Sequence, residues 1–343
     1  MTDLLAEMKR VKARVDGLIL NQLLPESSSI KEVGLLYRMM RDYPMRQAKG
    51  MRPFLCVTTC RAAGGKEDDA LLTAACIELF QNWILIHDDI EDGSELRRGE
   101  PALHRKYGDA LALNAGDALH ARTWEAILLN GRSLGLERTF AVMEEFSHMV
   151  NETTEGQHME LGWVVGKRWD LSEKDYYEMC TRKTSWYTVA SPCRLGALVA
   201  GSRGGMLDQL REFGISLGIA FQIQDDCLNL AGDQKKYGKA KSDDILEGKR
   251  TLILLHLLAV ASQGEMDRVI SIMNKKRESK SADDVSYVMS LIDKYDAIGF
   301  ARKRATELMK EALLTLRGID WKGDRDAAEM LTSFARFAVE REW

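Results

Sequence analysis

The sequence predicts an all-α protein, and three observations carry that prediction. Apolar residues recur at helical spacing in "LLTAACIELFQNWILIHDD" (71–89) and "FGISLGIAFQIQDDCLNL" (213–230). Sustained period-2 alternation rich in Val, Ile and Thr, the mark of half-buried strands, is hard to find. There are five prolines in 343 residues and none after Pro192, so the strongest helix breaker is missing from the whole latter part of the chain.

Taken in order, the elements follow from start signals and interruptions. The opening "MTDLLAEMKRVKARVDG" is charged throughout and has no apolar core of a secretory signal. "SSIKE" sets Glu32 three residues after Ser29, the spacing of a capping box. "AAGGKEDD" (62–69) interrupts the chain before the first long periodic run, and the charged loop "GSELRRGEPALHRKYG" (93–108) follows that run. "NGRSLG" (130–135) and "AGSRGG" (200–205) separate further helices. "AGDQKKYGKAKSDD" (231–244) follows the second run, and "SADD" sets Asp284 three after Ser281, another helix start. The expectation is ten or more helices with two long charged loops, each behind an acidic motif. With no short repeat and no low-complexity linker, residues 1–343 read as a single domain. The glycines of "LGALVAGSRGG" precede no phosphate loop.

Composition narrows the function. The net charge of −4 and pI near 6.0 lack the basic footprint of a nucleic-acid binder. The best apolar stretch, "TLILLHLLAVA", falls well short of the ~20 residues of a bilayer span, so an integral membrane protein is not expected. Six cysteines without a CxxC pair read as reduced thiols, and the expected location is the cytoplasm.

The chemistry-bearing residues are acidic and basic clusters. In "IHDDIEDGSELRRG", Asp88, Asp89 and Asp92 share one side of a helix, because positions i, i+1 and i+4 span ~100°. Such crowding is unfavourable without a cation, and Mg²⁺ prefers oxygen ligands completed by waters and phosphates. One acidic triplet of this spacing is expected roughly once by chance in so acidic a chain. The second cluster is what points to function. Asp225 and Asp226 again close an apolar helical run, at a helix end where the macrodipole disfavours negative charge. Lys49, Arg52, Arg97, Arg98, Lys183, Lys239 and Lys249 lie in or beside the interruptions that flank these helices. Cations of this kind suit phosphate oxygens, so the two sets together describe a pocket for a diphosphate bridged by Mg²⁺.

These residues resemble the all-trans isoprenyl (polyprenyl) diphosphate synthases over most of the chain. "KGMRP" looks like the family's GKxxRP element, "LIHDDIED" with "LRRGEP" like its first aspartate-rich motif, and "KTSWY" like its KT element. "FQIQDD", "GKAKSDD" and "EGKRTL" look like its second aspartate-rich region. The resemblance implies a single polyprenyl synthetase domain of the isoprenoid synthase fold, with helices around a deep central cavity. It also implies a homodimer and three Mg²⁺ ions with substrate bound. Carried over, Asp88, Asp89 and Asp92 would hold two Mg²⁺ on an allylic diphosphate, and Asp225 with Asp226 the third. Arg97, Lys183, Lys239 and Lys249 would contact that diphosphate. Lys49, Arg52, Arg98 and Gln81 would bind isopentenyl diphosphate, and Thr184 and Gln222 would sit beside the reacting carbons. Two positions depart from the family pattern: Asn229 stands where a third aspartate is usual, and Gln81 where many relatives have histidine.

The implied reaction is ionisation of the allylic C–O bond, attack by isopentenyl diphosphate, and proton loss to an elongated trans product. No histidine is obviously placed as a base, so the released diphosphate is expected to take the proton. In the family, the fifth and fourth residues before the first aspartate, here Trp83 and Ile84, help to limit chain length. Ile77, Phe80, Gln81 and Ile84 are expected on the nearer wall. Trp83 argues for a short product, geranylgeranyl ahead of farnesyl ahead of long polyprenyl chains, although a straight helix sets it ~140° from Asp88. The competing readings are a terpene cyclase, which needs no second diphosphate site, and a non-catalytic partner subunit, which would be expected to have lost one motif or the lysines.

Overall fold

The computed structural model describes residues 2–231 and 242–341, and within them the chain is built of helices joined by short turns. Lys239 lies outside the described residues. Helix α1 (Thr2–Leu18) runs into a π turn (Ile19–Leu23), and α2 (Lys31–Met45) and α3 (Met51–Ala62) follow. Then come α4 (Glu67–Glu91), a two-residue antiparallel pair of β1 (Leu96–Arg97) and β2 (Glu100–Pro101), α5 (Leu103–Tyr107) and α6 (Asp109–Leu128). Helix α7 (Gly131–Val165) kinks at Gly135, inside the expected "NGRSLG" break. After α8 (Glu173–Cys180) a π-helical segment, Thr181–Ala190, leads into α9 (Ser191–Val199) and the long α10 (Gly205–Ala231). The remainder is α11 (Asp243–Glu247), α12 (Leu252–Val260), α13 (Gln263–Met273), α14 (Ala282–Lys294), α15 (Ala297–Arg317) and α16 (Arg325–Glu340).

The two periodic runs are α4 and α10, and both are buried on most sides. Helix α4 packs against α3 and α6, and α10 against α15 and the π segment. A helix apolar nearly all round belongs in a core. That also explains why α4, the one described helix long and apolar enough for a bilayer, is covered by protein. One core gathers about α10, α15 and α16, and a second about α1, α3, α4 and α6. All six cysteines are free and buried in these cores.

The Ser281 capping box forms as expected, with Asp284 N donating to Ser281 Oγ at 3.1 Å and Ser281 N to Asp284 Oδ2 at 2.9 Å. The Ser29 box does not. Helix α2 begins after Ile30 without a side-chain cap, and Ser28 Oγ instead accepts from Ile30 N at 3.2 Å, a local turn that competes with the cap. Among the described residues the β1–β2 pair is the one strand pairing, and its origin is local. Arg98 and Gly99 both have positive φ and fold "LRRGEP" back on itself.

The π segment is held by two very close helix crossings. A Cβ at Gly156 of α7 would fall 2.1 Å from Lys183 N, and one at Gly218 of α10 would fall 2.4 Å from Ser185 Cα. Only glycine permits backbones to approach so closely. Wide π turns of this kind recur at functional sites, and this one carries Lys183 and Thr184.

Candidate active site

At the end of α4, Asp88 accepts from Arg97 Nη2 at 3.1 Å and from Gln157 Nε2 at 3.3 Å, with Lys183 Nζ at 3.8 Å. Asp92 accepts from Lys249 Nζ at 2.9 Å. Burial pushes the Asp92 carboxyl up to about 6, against the pull of Lys249 and with the help of Asp88. Asp89 is fully buried. Its oxygens accept the Tyr43 hydroxyl and Arg97 Nε, the latter at 2.9 Å. Arg97 comes from β1, so the short strand pair is what brings a guanidinium onto the acidic turn. Arg46 secures that hairpin through Arg97 O at 2.7 Å and Pro101 O at 2.9 Å.

Lys183 and Lys249 share a buried acid, Glu160 of α7. Glu160 contacts Lys183 directly, and both lysines hold its carboxyl below the usual range despite the opposing effect of burial. Burial works against the charge on each lysine, yet Glu160 and Asp92 raise both pKa values, joined by Asp88 at Lys183 and by Glu247 at Lys249, and keep them cationic.

At the end of α10, Asp225 accepts from Arg341 Nη2 at 2.7 Å. Asp226 is buried and accepts the Tyr176 hydroxyl and Gln222 Nε2, each at 2.7 Å. Burial pushes its carboxyl up to about 7; Tyr176 and Gln222 oppose the rise and Asp225 adds to it. Gln222 Oε1 in turn accepts from Thr184 Oγ1 at 2.7 Å. Asn229, the departure from a third aspartate, is buried among backbone. Its Oδ1 accepts from Asp244 N at 3.2 Å and its carbonyl from Ser242 N at 3.1 Å, which ties the start of α11 to α10.

A cavity of about 310 Å³ opens between these two ends. Of the residues singled out from sequence, Trp83, Ile84, Asp88, Arg97, Lys183, Thr184, Gln222, Asp225 and Lys249 line it. Trp83 and Asp88 share this lining in spite of the angle between them on a straight helix. Trp83 is buried and stacks on His120, with ring centroids 4.1 Å apart. Ile77 and Phe80, expected on the wall, are buried in the core behind it, Phe80 lying edge-on to Trp83 and Tyr187. Two histidines that the sequence does not obviously place as a base, His87 and His158, line the cavity. His87 Nε2 lies 3.4 Å from Leu113 O and 3.6 Å from Asp117.

Lys49, Arg52, Gln81 and Arg98 are outside this lining, and the two arginines form a basic neighbourhood beside it. Arg52 donates to Thr188 Oγ1 at 2.8 Å and lies 4.2 Å over the ring of Tyr187, which itself lines the cavity. Arg98 donates to Tyr43 O at 2.8 Å and Asn82 Oδ1 at 3.2 Å. Burial lowers the Arg98 pKa, and Arg97, Arg52 and Arg46 lower it further while Glu78 resists. Burial and Arg341 together bring Lys49 down to about 8, with Asp225 acting the other way. Crowded cations of this kind favour an anion. Gln81 is half-buried on α4.

Sequence reasoning missed Tyr43, Arg46, Gln157, Glu160, Tyr176 and Arg341. Gln157 and Glu160 stand three apart in "GQHMEL", a helical spacing that offered a signal. The others meet the site through tertiary contact alone.

The donor set fits Mg²⁺. Asp88 and Asp225 are hard oxygen donors on one cavity, Asp92 adjoins it, and Arg97, Lys249 and Arg341 stand in as cations against all three. Among the described residues no three acidic, histidine or cysteine side chains close on a single point.

Comparison with known proteins gives a concordant result. A family model described as Polyprenyl synthetase matches residues 33–292. The chain is 35% identical to a short chain isoprenyl diphosphate synthase of Methanothermobacter thermautotrophicus over 294 residues, 86% of each chain. A crystal structure of geranylgeranyl pyrophosphate synthetase from Pyrococcus horikoshii superposes with a TM-score of 0.87 at 34% identity, covering 99% of both chains. Geranylgeranyl pyrophosphate synthase from Corynebacterium glutamicum, solved with isoprenyl diphosphate and magnesium, gives 0.87 at 27% identity and covers 98% of this chain and 99% of its own.

Proposed function

The chain belongs to the polyprenyl synthetase family and is a prenyltransferase; from that premise we propose that it condenses isopentenyl diphosphate head-to-tail (1′-4) with an allylic diphosphate. The proposed product is a short all-trans prenyl diphosphate, geranylgeranyl ahead of farnesyl. The observation that carries this reading is that Asp88 and Asp225, from two helices far apart in sequence, line one cavity together with Arg97, Lys183 and Lys249.

In the proposed mechanism Arg97, Lys183 and Lys249 hold the allylic diphosphate and favour its departure by stabilising the negative charge that develops. Asp88, Asp92 and Asp225 would hold Mg²⁺, three ions being implied by the family, and the bound metal supplies further neutralising charge on the diphosphate. Thr184 Oγ1 and Gln222 Oε1 face the reacting carbons and ease positive charge there. Trp83, Ile84 and Leu161 make the apolar part of the wall and keep water from the cation. Lys49, Arg52 and Arg98, with Gln81, fix isopentenyl diphosphate so that its double bond meets the cation. The released diphosphate takes the proton; of the two histidines on the cavity, His87 is turned to Leu113 O and Asp117. Trp83, backed by His120, sets the floor of the cavity and hence a short product.

The basic group around Arg52 and Arg98 favours a synthase over a terpene cyclase, which has no second diphosphate to hold. Both acidic ends and the lysines of the described residues are kept, which disfavours a non-catalytic partner subunit. We also propose a cytoplasmic homodimer acting as a single domain. The exposed Leu111, Leu113 and Leu128 of α6, with Leu136 and Phe140 of α7, support pairing of two copies. The test is incubation with Mg²⁺ and labelled allylic diphosphate, with and without isopentenyl diphosphate. Elongation that requires isopentenyl diphosphate supports the reading. A cyclic hydrocarbon formed without it indicates a cyclase, and no turnover favours a partner subunit.

A further inference from the structure

The two acidic pairs share an arrangement that neither motif spells out. In each pair the first aspartate, Asp88 or Asp225, lines the cavity, while the second, Asp89 or Asp226, is buried behind it. Each buried aspartate accepts the hydroxyl of a buried tyrosine from another helix, Tyr43 of α2 for Asp89 and Tyr176 of α8 for Asp226. Its other oxygen accepts from a side chain that does line the cavity, Arg97 Nε at 2.9 Å for Asp89 and Gln222 Nε2 at 2.7 Å for Asp226.

We propose that Asp226 is a positioning residue, anchored by Tyr176, whose task is to fix the amide of Gln222 with its carbonyl end beside Thr184 in the cavity. The inference rests on the condensation reading and gives Asp226 a role other than metal ligand. A glutamine amide has an electropositive end and an electronegative end, and the two differ only by a flip. With Nε2 spent on the Asp226 carboxylate, Oε1 is the end that accepts from Thr184 Oγ1 at 2.7 Å. The flipped amide would set oxygen against carboxylate and is disfavoured. The chain Tyr176, Asp226, Gln222, Thr184 therefore presents electronegative atoms to a carbon that becomes positive. Asp89 shows the same device with Arg97, directed at the diphosphate instead.

The test compares Asp226→Asn, Tyr176→Phe and Asp225→Asn in the full chain. Four quantities are read: affinity for Mg²⁺ with inorganic pyrophosphate by calorimetry, kcat and KM for condensation, and the fraction of allylic substrate released as alcohol. The alcohol arises when water adds to the allylic cation and loses a proton. Asp226→Asn is expected to keep pyrophosphate affinity within about two-fold, to lose about 10- to 100-fold in kcat, and to raise the alcohol fraction several-fold. Tyr176→Phe, which keeps the ring in place, should move kcat and alcohol fraction the same way by about three-fold. Asp225→Asn should weaken Mg²⁺–pyrophosphate binding by about ten-fold or more. A partly unfolded variant lowers all rates in proportion and leaves the alcohol fraction unchanged, so that result for both Asp226→Asn and Tyr176→Phe overturns the proposal. Loss of Mg²⁺–pyrophosphate affinity in Asp226→Asn equal to that in Asp225→Asn overturns it as well. A wild-type protein that ionises the allylic substrate but ignores isopentenyl diphosphate overturns the condensation reading instead. The calorimetric contrast between Asp225→Asn and Asp226→Asn would still decide the role of Asp226.

Discussion

The end of α4 and the end of α10 carry the same two aspartates in a row and keep different company. At α4, Arg97 reaches both Asp88 and Asp89, Lys249 reaches Asp92, and Lys183 stands near Asp88. At α10, Arg341 reaches Asp225, but Asp226 is held by a phenol and an amide. The first end is braced by permanent cations, and burial still lifts Asp92 to about 6 against the pull of Lys249; at the second, burial lifts Asp226 to about 7 with only a phenol and an amide opposing it. A repeated motif thus does not have a repeated environment. Its neighbours come from elsewhere in the chain and decide which carboxylates face the cavity and which are buried as anchors.

The sharpest way to break this comparison is to remove the first carboxylate at each end. Asp88→Ala should lower kcat/KM by about 10²- to 10³-fold, and Asp225→Ala by about ten-fold less, in steady-state assays with both diphosphates. Full activity in Asp88→Ala would contradict its role. Trp83→Ala tests whether the α4 end alone governs chain length. It should lengthen the product seen by chromatography and cost about 3 kcal/mol or more in a denaturant titration, because a buried aromatic is lost. An unchanged product profile would return Trp83 to ordinary packing. Arg341→Ala should lower the Mg²⁺ concentration for half-maximal activity by about two- to five-fold, since the pair it breaks involves a partly exposed Asp225. A rise would show that Arg341 assists binding. The smallest change is expected for Asn229→Asp, less than about two-fold in kcat, because the new carboxylate can still accept from Asp244 N. A large gain would give that third position a direct part in the chemistry.

The helices at both ends are legible because a periodic apolar face and an acidic end sit within single short stretches, 71–89 and 213–230. The lysines are legible as charges beside interruptions. What is hidden lies in tertiary pairing. Tyr176 and Asp226 are 50 positions apart, and Asp225 and Arg341 are 116 apart, and no local pattern joins them. Ser29 shows the opposite failure, a correct capping spacing beaten by Ser28, whose hydroxyl turns back on Ile30. Trp83 shows a third: helix arithmetic gives the direction of a Cα–Cβ bond, whereas an indole has the reach to share a cavity wall with Asp88.

The two glycine crossings at the π segment have a bearing on which parts of the enzyme can give way. With no room for even a methyl group at Gly156 or Gly218, the ledge that bears Lys183 and Thr184 is wedged between α7 and α10 and cannot slide past either. A lengthening hydrocarbon must therefore be accommodated on the opposite bank, by rotamers along α4. Selection for new product sizes should collect its substitutions there and leave the ledge untouched.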